Sequence, residues 1–299
     1  MAKAAKLPSL AFERATSGLV AGIDEAGCAP LAGPVVAAAV VLPAWSRKPR
    51  RLHGLTDSKL LPEPERERLY RAIVTVARIG IGAASAAEID RVNIYNADML
   101  AMRRAVAALG FELDLALVDG NRAPKLACRV QTIVKGDSRS LSIAAASVVA
   151  KVTRDRLMAR LAGRYPGYGW QTNRGYGTDD HYVGLLRFGP TRHHRLSFAP
   201  LCTLFCKTEF GVRFAALTKP VDPLGVRLIR LREDLHVVCD RGGCHLGLVK
   251  WTTGKWVLKA VGYDDGGNAL PGGGPLTAFH NRVVAGPDPE SLSSVLGVR

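Results

Sequence analysis

Residues 18–42, GLVAGIDEAGCAPLAGPVVAAAVVL, contain two short apolar runs separated by a turn rich in glycine and proline. The first run ends at the acidic pair Asp24-Glu25, and the second, Val35 to Leu42, is rich in alanine and β-branched residues. Short runs of this composition between glycine and proline are typical of β-strands. The stretch therefore predicts two paired strands, with two carboxylates at the end of the first.

The rest of the first two thirds alternates strand-like and helical patterns. Further strands are predicted at 78–85, 115–118 and 130–134, and helices at 66–76, 87–109 and 142–165. This order predicts an α/β fold with a mixed five-stranded sheet and helices on its faces. The segment 163–200 is rich in glycine, aromatic, histidine and arginine residues, and is predicted to be dominated by loops that touch a partner.

The composition changes beyond residue 208. Short strands are predicted at 227–231, 235–239, 246–252 and 255–263, with a hairpin turn at Thr253-Gly254. The following residues up to 275 are rich in glycine. We interpret residues 209–299 as a small β-rich appendage of unknown role.

The charge favours a polyanionic partner. The net charge is +15, and the sequence pI is about 9.9. Residues 1–208 hold 30 Lys and Arg against 17 acidic residues, whereas residues 209–299 hold 11 against 9. A positive field of this size favours nucleic acid. We therefore expect the first two thirds of the chain to bind the nucleic acid.

Other features bear on the compartment. The longest apolar candidate, 31–43, is too short to span a membrane, and the N-terminus lacks the pattern of a secretory leader. The six cysteines are scattered and are expected to be reduced, and their spacings are unlike those of zinc knuckles. We expect a cytoplasmic protein with no membrane partner.

Three strand-like runs each end in an acidic residue beside a glycine. These acids are Asp24 with Glu25, Asp119, and Asp137. Strand ends of an open α/β sheet share one edge, so the carboxylates can converge. Carboxylate oxygens are the ligands that Mg²⁺ and Mn²⁺ prefer, and such a cluster suits two-metal phosphodiester hydrolysis. The alternative is that each acid is only a turn residue.

A polar stripe follows on the predicted helix 142–165. Ser147, Lys151 and Asp155 are spaced four residues apart on a helix that is otherwise rich in Ala, Ile, Val and Leu. Lys151 and Asp155 can pair with each other, or Asp155 can support the metal cluster from its periphery. A solvated helix face is the alternative interpretation.

Six ordered motifs resemble those of ribonuclease HII. They are GIDEAGCAPLAGPVVAAAVVL, LTDSK, VDGN, VKGDSRSLSIAAASVVAKVTRD, RGYGTDDHY and TRHHRLSFAP, and they extend over residues 18–200. The resemblance implies a ribonuclease H-like catalytic domain over residues 17–208, after an N-terminal tail of residues 1–16.

The resemblance also implies an activity and a set of ligands. The expected metal and catalytic residues are Asp24, Glu25, Asp119 and Asp137, with Mn²⁺ or Mg²⁺ as cofactor. The expected substrates are RNA:DNA hybrids and duplex DNA that contains ribonucleotides. Cleavage is expected on the 5′ side of the ribonucleotide and leaves a 3′-hydroxyl and a 5′-phosphate.

Several substrate contacts are implied by the same motifs. Tyr176 matches the family tyrosine that packs against the sugar of the deoxynucleotide after the junction. Lys59 and Arg174 are expected to contact the phosphate backbone, and Ser147 and Lys151 to contribute to substrate binding. The paired His193 and His194 can contact the backbone as well, but a packing role is the favoured interpretation.

The sequence departs from the family pattern in two places. The Gly-Arg-Gly triplet that reads the 2′-hydroxyl through its backbone is Gly27-Cys28-Ala29 here, which removes a cation and adds a methyl group. A second lysine after Lys59 is replaced by Leu60. The alternatives are therefore a non-catalytic nucleic-acid-binding protein of the same fold, or a nuclease without preference for single ribonucleotides.

Overall fold

The computed structural model describes residues 7–44, 49–199, 201, 205–208, 211–214, 227–239, 245–263, 269–271 and 275–296. Cys202, Cys244 and most of the glycine-rich stretch after Tyr263 lie outside the described residues. The contacts divide the chain into one unit up to Arg160 with Arg192–Arg195, and another of Leu161–Thr191 with residues from Leu196 onward. The domain boundary at residue 208 does not coincide with this division and stays a prediction.

The first unit is built on a five-stranded mixed sheet, as predicted. Its strands are β1 (Val20–Ala26), β2 (Val35–Val41), β3 (Arg78–Ala84), β4 (Leu115–Asp119) and β5 (Arg129–Ile133). Their order in the sheet is β3-β2-β1-β4-β5. The first three strands pair antiparallel, whereas β1, β4 and β5 are parallel neighbours. The ends of β1, β4 and β5, where the acidic residues lie, are therefore at the same edge of the sheet.

Helices cover both faces of this sheet. They are α1 (Ala11–Arg14), α2 (Glu63–Val74), α3 (Ala86–Ala107) and α4 (Leu141–Arg164), of which the last extends into the second unit. One core contains apolar residues of β2, α2 and α4, among them Val40, Leu69 and Val148. Helix α3 contacts β2 and β3 from the other face. The fully apolar strand β2, VVAAAVV, is buried at every position because it has a helix layer on each side.

Helix α4 lies unusually close to β1. A side-chain carbon at Gly22 would lie 2.1 Å from the backbone of Ser142, so only glycine permits this approach. The start of α4 is also held by Glu13, whose carboxylate accepts from the backbone N–H of Ser142 at 2.8 Å and from the hydroxyl of Ser140 at 2.7 Å. A carboxylate at a helix start satisfies N–H groups that lack partners inside the helix.

Two details of the first unit differ from the expectations. Part of the predicted N-terminal tail is docked, since Leu10 is buried in the core and Glu13 contacts α4. Helix α3 was predicted to be continuous, but Asn93 has a φ of 68° and interrupts it. The Asn93 side chain then accepts from the N–H of Asn96 at 3.0 Å, which starts the second part of the helix.

The segment 163–200 is more ordered than predicted. It contains α5 (Trp170–Asn173) and α6 (Asp179–Phe188), which is capped by Thr178. Tyr168, Trp170 and His181 are buried together, with the rings of Tyr168 and Trp170 stacked at 5.1 Å. The segment was predicted to touch a partner and not to fill a core, but Tyr168 and Trp170 are buried, whereas Tyr176 and Phe188 are exposed.

The C-terminal part of the second unit contains antiparallel strands, as predicted. They are β6 (Phe205–Thr208), β7 (Gly211–Phe214), β8 (Arg227–Arg232), β9 (Leu235–Cys239), β10 (His245–Thr252), β11 (Lys255–Tyr263), β12 (Ala269–Pro271) and β13 (Val283–Val284), followed by α7 (Pro289–Leu296). The main sheet has the order β12-β11-β10-β9-β8, with β13 beside β11. Thr253 and Gly254 both have positive φ, as a tight hairpin turn requires. Among the described helices, none is long and apolar enough to cross a membrane.

Candidate active site

Three predicted carboxylates converge beside strands β1 and β4. Ligand oxygens of Asp24, Asp119 and Asp137 all lie within 4.8 Å of one another, and we call these three residues the carboxylate centre. Asp24 lies within β1, and Asp119 is the last residue of β4. Asp137 does not end β5 as expected, because it lies in a 3-10 turn, Gly136–Ser138, that follows the strand. This turn places the carboxylate of Asp137 beside those of Asp24 and Asp119.

Backbone N–H groups orient two of these carboxylates. The N–H of Glu25 donates to Oδ1 of Asp24 at 2.7 Å, and the N–H of Gly136 donates to Oδ1 of Asp119 at 2.6 Å. The second bond also ties the turn that carries Asp137 to the end of β4. The positions of the oxygens are therefore set by the backbone of the sheet and its turns, before any cation binds.

The electrostatics of the carboxylate centre favour a cation. Burial raises the pKa of Asp24 well above its usual value, and the charges of Glu25 and Asp119 raise it further, against a hydrogen bond from Ser147. Burial, followed by the charges of Asp57 and Asp119, raises the pKa of Asp137 to about 6. Buried like charges are costly unless something neutralises them. An all-oxygen donor set of this kind fits a hard divalent cation such as Mg²⁺ or Mn²⁺.

Lys59 lies beside the carboxylate centre. It belongs to a short 3-10 helix, Ser58–Leu60, that is capped by Asp57, whose carboxylate accepts from the N–H of Lys59 at 2.9 Å. Burial disfavours the charged form of Lys59, but the carboxylates of Asp24, Asp57, Glu25 and Asp137 outweigh it and raise its pKa. Lys59 therefore stays protonated and adds one positive charge at the edge of an acidic site.

Ser147 of α4 supports Asp24 and the short helix of Lys59. It is buried in α4, and its hydroxyl oxygen lies 2.9 Å from that of Ser58 and accepts from the backbone N–H of Ser58 at 3.4 Å. A further hydrogen bond from Ser147 stabilises the ionised form of Asp24. Since the side chain is only 3% exposed, it orients the 58–60 helix and Asp24 instead of facing a bound strand.

Glu25 belongs to a second, neighbouring group. Successive residues of a strand point to opposite faces, so Glu25 faces α3 while Asp24 faces α4. Donor atoms of Glu25, Cys28 and Asp98 lie within 4.8 Å of one another, and we call these residues the Glu25 group. Burial and the charge of Asp119 raise the pKa of Glu25, so Glu25 interacts electrostatically with the carboxylate centre. The four predicted carboxylates are therefore near one another, but only three form the carboxylate centre.

The Glu25 group contains a protonated carboxyl and a neutral thiol. Burial, and then the charge of Glu25, raise the pKa of Asp98 to about 8. Burial and the two neighbouring acids raise the pKa of the Cys28 thiol, which lies 3.9 Å from Oε1 of Glu25. A thiol with a raised pKa is a poor nucleophile, so Cys28 is not a reactive cysteine.

The loop of Gly27, Cys28 and Ala29 is held by two buried arginines. Arg195 donates to the carbonyls of Gly27 at 2.5 Å and Cys28 at 2.8 Å. Arg154 lies against Gly27, where an added side-chain carbon would be 1.9 Å from its Nε. Gly27 has a φ of 98°, whereas Ala29 is not among the residues with positive φ. The methyl group of Ala29 is therefore compatible with the loop conformation, and glycine is required only at position 27.

The polar stripe on α4 ends in an ion pair. Nζ of Lys151 lies 2.8 Å from Oδ1 of Asp155, and both side chains are largely buried. Asp155 belongs to neither of the two acidic groups formed by the described residues. The first of the two expectations, that these residues pair with each other, matches the geometry.

Arg174 and Tyr176 lie in a turn of the second unit. Arg174 has a φ of 51°, and Tyr176 is 45% exposed. The turn is fixed by buried His181, whose Nε2 accepts from the indole N–H of Trp170 at 3.0 Å. Its Nδ1–H is then free to donate to the carbonyl of Tyr176 at 2.9 Å. Burial lowers the pKa of His181 to about 4, which keeps the ring neutral for this role.

Comparisons with known proteins assign the family. Residues 21–201 match the family Ribonuclease HII. The chain belongs to the ribonuclease HII family. It is 56% identical over 197 residues to ribonuclease HII of Rhodospirillum rubrum, covering 65% of this chain and 90% of that protein. With ribonuclease HII of Granulibacter bethesdensis it shares 58% identity over 196 residues, covering 64% and 89%.

A solved structure supports the same family. The ribonuclease HII in a complex with PCNA from Archaeoglobus fulgidus is 26% identical, with a TM-score of 0.50, covering 60% of this chain and 95% of that chain. The predicted family, fold and enzyme class are thereby confirmed. Ribonuclease HII acts on RNA:DNA substrates, its family depends on divalent metal ions, and the non-catalytic alternative is not favoured.

Sequence reasoning missed Asp98, Arg154 and Arg195, which lie at or beside the Glu25 group and the loop of residues 27–29 in this ribonuclease HII. It also missed His181, which supports the turn of Arg174 and Tyr176 in the second unit. Asp98 precedes the buried residues Ala101 and Met102 of α3 by three and four positions, and an acidic residue inside this apolar stripe is the signal that could have revealed it. The backbone of 193–195 pairs with 31–33, and the side chain of His194 is buried, which agrees with the packing role favoured for His194. The packing role of His193 stays a prediction.

Proposed function

We propose that this ribonuclease HII cleaves on the 5′ side of ribonucleotides embedded in duplex DNA and in the RNA strand of hybrids. The observation that carries the proposal is the convergence of the carboxylate centre within 4.8 Å beside Lys59. Such cleavage serves ribonucleotide removal and hybrid degradation during DNA repair and replication. We expect it to take place in the cytoplasm.

The proposed ligands of the divalent cations are Asp24, Asp119 and Asp137, with Glu25 adjacent to them. When Mg²⁺ or Mn²⁺ is bound, it activates water and stabilises the charge that develops on the phosphodiester. The backbone N–H groups of Glu25 and Gly136 keep two of the ligand oxygens in place. Lys59 supplies a permanent positive charge that attracts the scissile phosphate to an otherwise acidic site.

The proposed reader of the ribonucleotide is the backbone of Gly27, Cys28 and Ala29. Sensing a 2′-hydroxyl is how a protein distinguishes RNA from DNA at one position. The bonds from Arg195 to the carbonyls of Gly27 and Cys28 hold the loop without help from the side chain at position 28. This support favours retained recognition of single ribonucleotides despite the Gly-Cys-Ala sequence.

The proposed contacts with the backbone and sugar involve Lys59, Lys151, Arg174 and Tyr176. Tyr176 is exposed, while its carbonyl is anchored by His181, so its ring can pack against a sugar from a fixed turn. Lys151 is paired with Asp155, and it would reach a phosphate only by sharing or exchanging that partner. Ser147 is assigned to support of Asp24 in place of a substrate contact.

A pair of matched duplexes tests the cleavage proposal. One duplex carries a single ribonucleotide and the other is DNA throughout. Wild-type protein should cut only the first, with Mn²⁺ or Mg²⁺ and not with EDTA. Asp119→Asn should lower cleavage by at least about a hundredfold while duplex binding persists, because one ligand is lost. The surface variant Glu67→Gln, which loses only an exposed pair with Arg156, should cut normally. Normal cleavage by Asp119→Asn would exclude the proposed site.

A second pair of variants tests Tyr176. Tyr176→Ala should reduce the preference for the ribonucleotide junction by about tenfold, since the loss of one stacked ring costs about 1–3 kcal/mol. Tyr176→Phe keeps the ring and should behave as wild type. The measurement is kcat/KM on the embedded ribonucleotide relative to a continuous hybrid. An unchanged ratio for Tyr176→Ala would remove Tyr176 from the recognition site.

A further inference from the structure

Two tryptophans face each other at one end of the C-terminal sheet. Trp251 of β10 is directly opposite Trp256 of β11, and their ring centroids are 5.5 Å apart at an angle of 65°. His236 of β9 lies 5.5 Å from Trp256 in an edge-to-face contact. These rings lie on one face of the sheet, and Trp251 is 46% exposed. An exposed indole beside further rings is typical of a binding surface.

The exposed ring is held by a rigid frame. Trp256 packs against the core of the sheet, and its contact with Trp251 fixes one side of that indole. The backbone N–H of Trp251 donates to the carbonyl of Asp234 at 2.8 Å, and the tight turn at Thr253-Gly254 follows directly. An aromatic ring that is already fixed loses little entropy when a ligand stacks on it.

An exposed cation lies on the same face as these rings. Alternation along β10 and β11 places Lys250, Lys255 and Lys259 on the opposite face, so the cation described beside the rings is Arg230. Arg230 is paired in register with His236, and its side chain is 64% exposed. Its distance of 3.8 Å from the very exposed Glu233 makes a weak surface pair that a phosphate can replace. Burial, and then the charge of Arg230, lower the pKa of His236, so that ring is neutral.

Aromatic rings with adjacent cations suit unpaired nucleotides. Base faces are covered in a duplex, whereas a single strand offers them for stacking, and its phosphates for pairing with arginine. We propose that Trp251 and Arg230 bind single-stranded nucleic acid, with Trp256 and buried His236 supporting the exposed indole from the sheet. These four residues, here called the tryptophan strip, include none of the carboxylate centre, and the inference does not depend on the proposed cleavage. A strand bound there is tethered to the nuclease, which raises its effective concentration.

Binding of short labelled oligonucleotides to the full chain in EDTA tests the strip. Trp251→Ala should weaken the affinity for oligothymidylate by about fivefold or more, and Trp251→Phe should retain most of it. The matched control is Val283→Ala, since Val283 is 53% exposed on the same sheet but pairs with Val257, on the opposite face from Trp256. The same measurement with oligouridylate shows whether the strip prefers DNA, RNA or neither. A loss of affinity of Trp251→Ala for either oligonucleotide supports the proposal.

Two further measurements keep the test decisive. Arg230→Gln removes an exposed cation and should reduce the salt dependence of oligothymidylate binding by about one counterion. Cleavage of a blunt hybrid should be unchanged in all these variants, which shows that they are folded and separates this inference from the proposed function. If Trp251→Ala is not folded, the salt dependence of oligothymidylate binding by Arg230→Gln decides. Wild-type affinity of Trp251→Ala for both oligonucleotides, or an unchanged salt slope for Arg230→Gln, would overturn the proposal.

Discussion

The carboxylate centre and the Glu25 group begin at neighbouring residues of β1 but differ in chemistry. The carboxylate centre contains three carboxylates, two of which accept backbone N–H bonds from Glu25 and Gly136. The Glu25 group contains two carboxyls and a thiol, and Oδ1 of Asp98 is buried without a hydrogen-bond partner among the described residues. Backbone N–H groups from two different segments orient the first group, whereas the members of the second meet through their side chains.

The difference arises because neighbouring residues of β1 point to opposite faces of the sheet and so contribute to two different groups. Because side chains alternate along β1, Asp24 faces Ser147 of α4 and Glu25 faces Asp98 of α3. An all-oxygen group with fixed ligands suits a hard cation, while a neutral thiol beside a protonated carboxyl does not require one. The carboxylate centre is therefore expected to control chemistry, and the Glu25 group to adjust it.

Matched substitutions at the two groups should have unequal effects. Asp24→Asn should lower cleavage of a single-ribonucleotide duplex by at least about a hundredfold, because a proposed metal ligand is lost. Asp98→Asn keeps the shape and removes a group that is largely protonated at neutral pH, so we expect a loss of at most about tenfold. Initial rates at saturating Mn²⁺ measure both. Equal losses would mean that the two groups act as one site.

The sequence predicted the carboxylate centre better than the Glu25 group. Asp24, Asp119 and Asp137 were found because each follows or ends an apolar run near a glycine, and strand order in the sheet then brings them together. The contact between Glu25 and Asp98 depends on the side of the sheet on which α3 packs and on the break at Asn93. Neither follows from hydrophobic spacing, which gives a helix its face but not its position.

The segment around α6 shows a second limit of prediction from the sequence. Its glycines and aromatics predicted loops, yet Tyr168, Trp170 and His181 form a small buried core. Glycine content predicts turns locally, whereas burial of an aromatic ring depends on which distant residues surround it. The turn of Arg174 and Tyr176 was thus identified from its motif, but its support by His181 was visible only in the fold.

Metal binding at the carboxylate centre should depend on pH. The raised pKa of Asp137, about 6, means that the folded metal-free protein holds this proton up to about pH 6, whereas the unfolded chain releases it near pH 4. Asp137 therefore stabilises the metal-free fold as pH falls through about 6, while the same proton competes with the cation. At about pH 7.5, Mn²⁺ at a hundred times its Kd should stabilise the protein by about 2.7 kcal/mol.

Thermal unfolding with and without Mn²⁺ measures this effect. Most of the Mn²⁺-dependent rise in Tm should disappear at about pH 5, because protonated carboxyls are poor metal ligands. Asp137→Asn should show a smaller rise at either pH, and Glu67→Gln should match wild type. A rise in Tm that is the same at both pH values would show that Asp137 does not help to hold the ion.

Restoring the family's arginine at position 28 should have the smallest effect. In Cys28→Arg the guanidinium would enter the Glu25 group and lower the pKa of Asp98, and the carboxylate formed there would neutralise part of its charge. We expect KM for the hybrid to fall by about threefold and the salt dependence to increase by no more than about one counterion. Cys28→Ser, which adds no charge, is the control.

The same substitution made together with Asp98→Asn tests the link between positions 28 and 98. Without the Asp98 carboxyl, the guanidinium is free for the substrate phosphate, so the double variant should gain more than Cys28→Arg alone. A double-mutant cycle on KM isolates this coupling, and residues in contact typically couple by about 0.5–3 kcal/mol. Additive effects would show that Asp98 does not limit the charge at position 28, and that the Glu25 group does not adjust substrate binding.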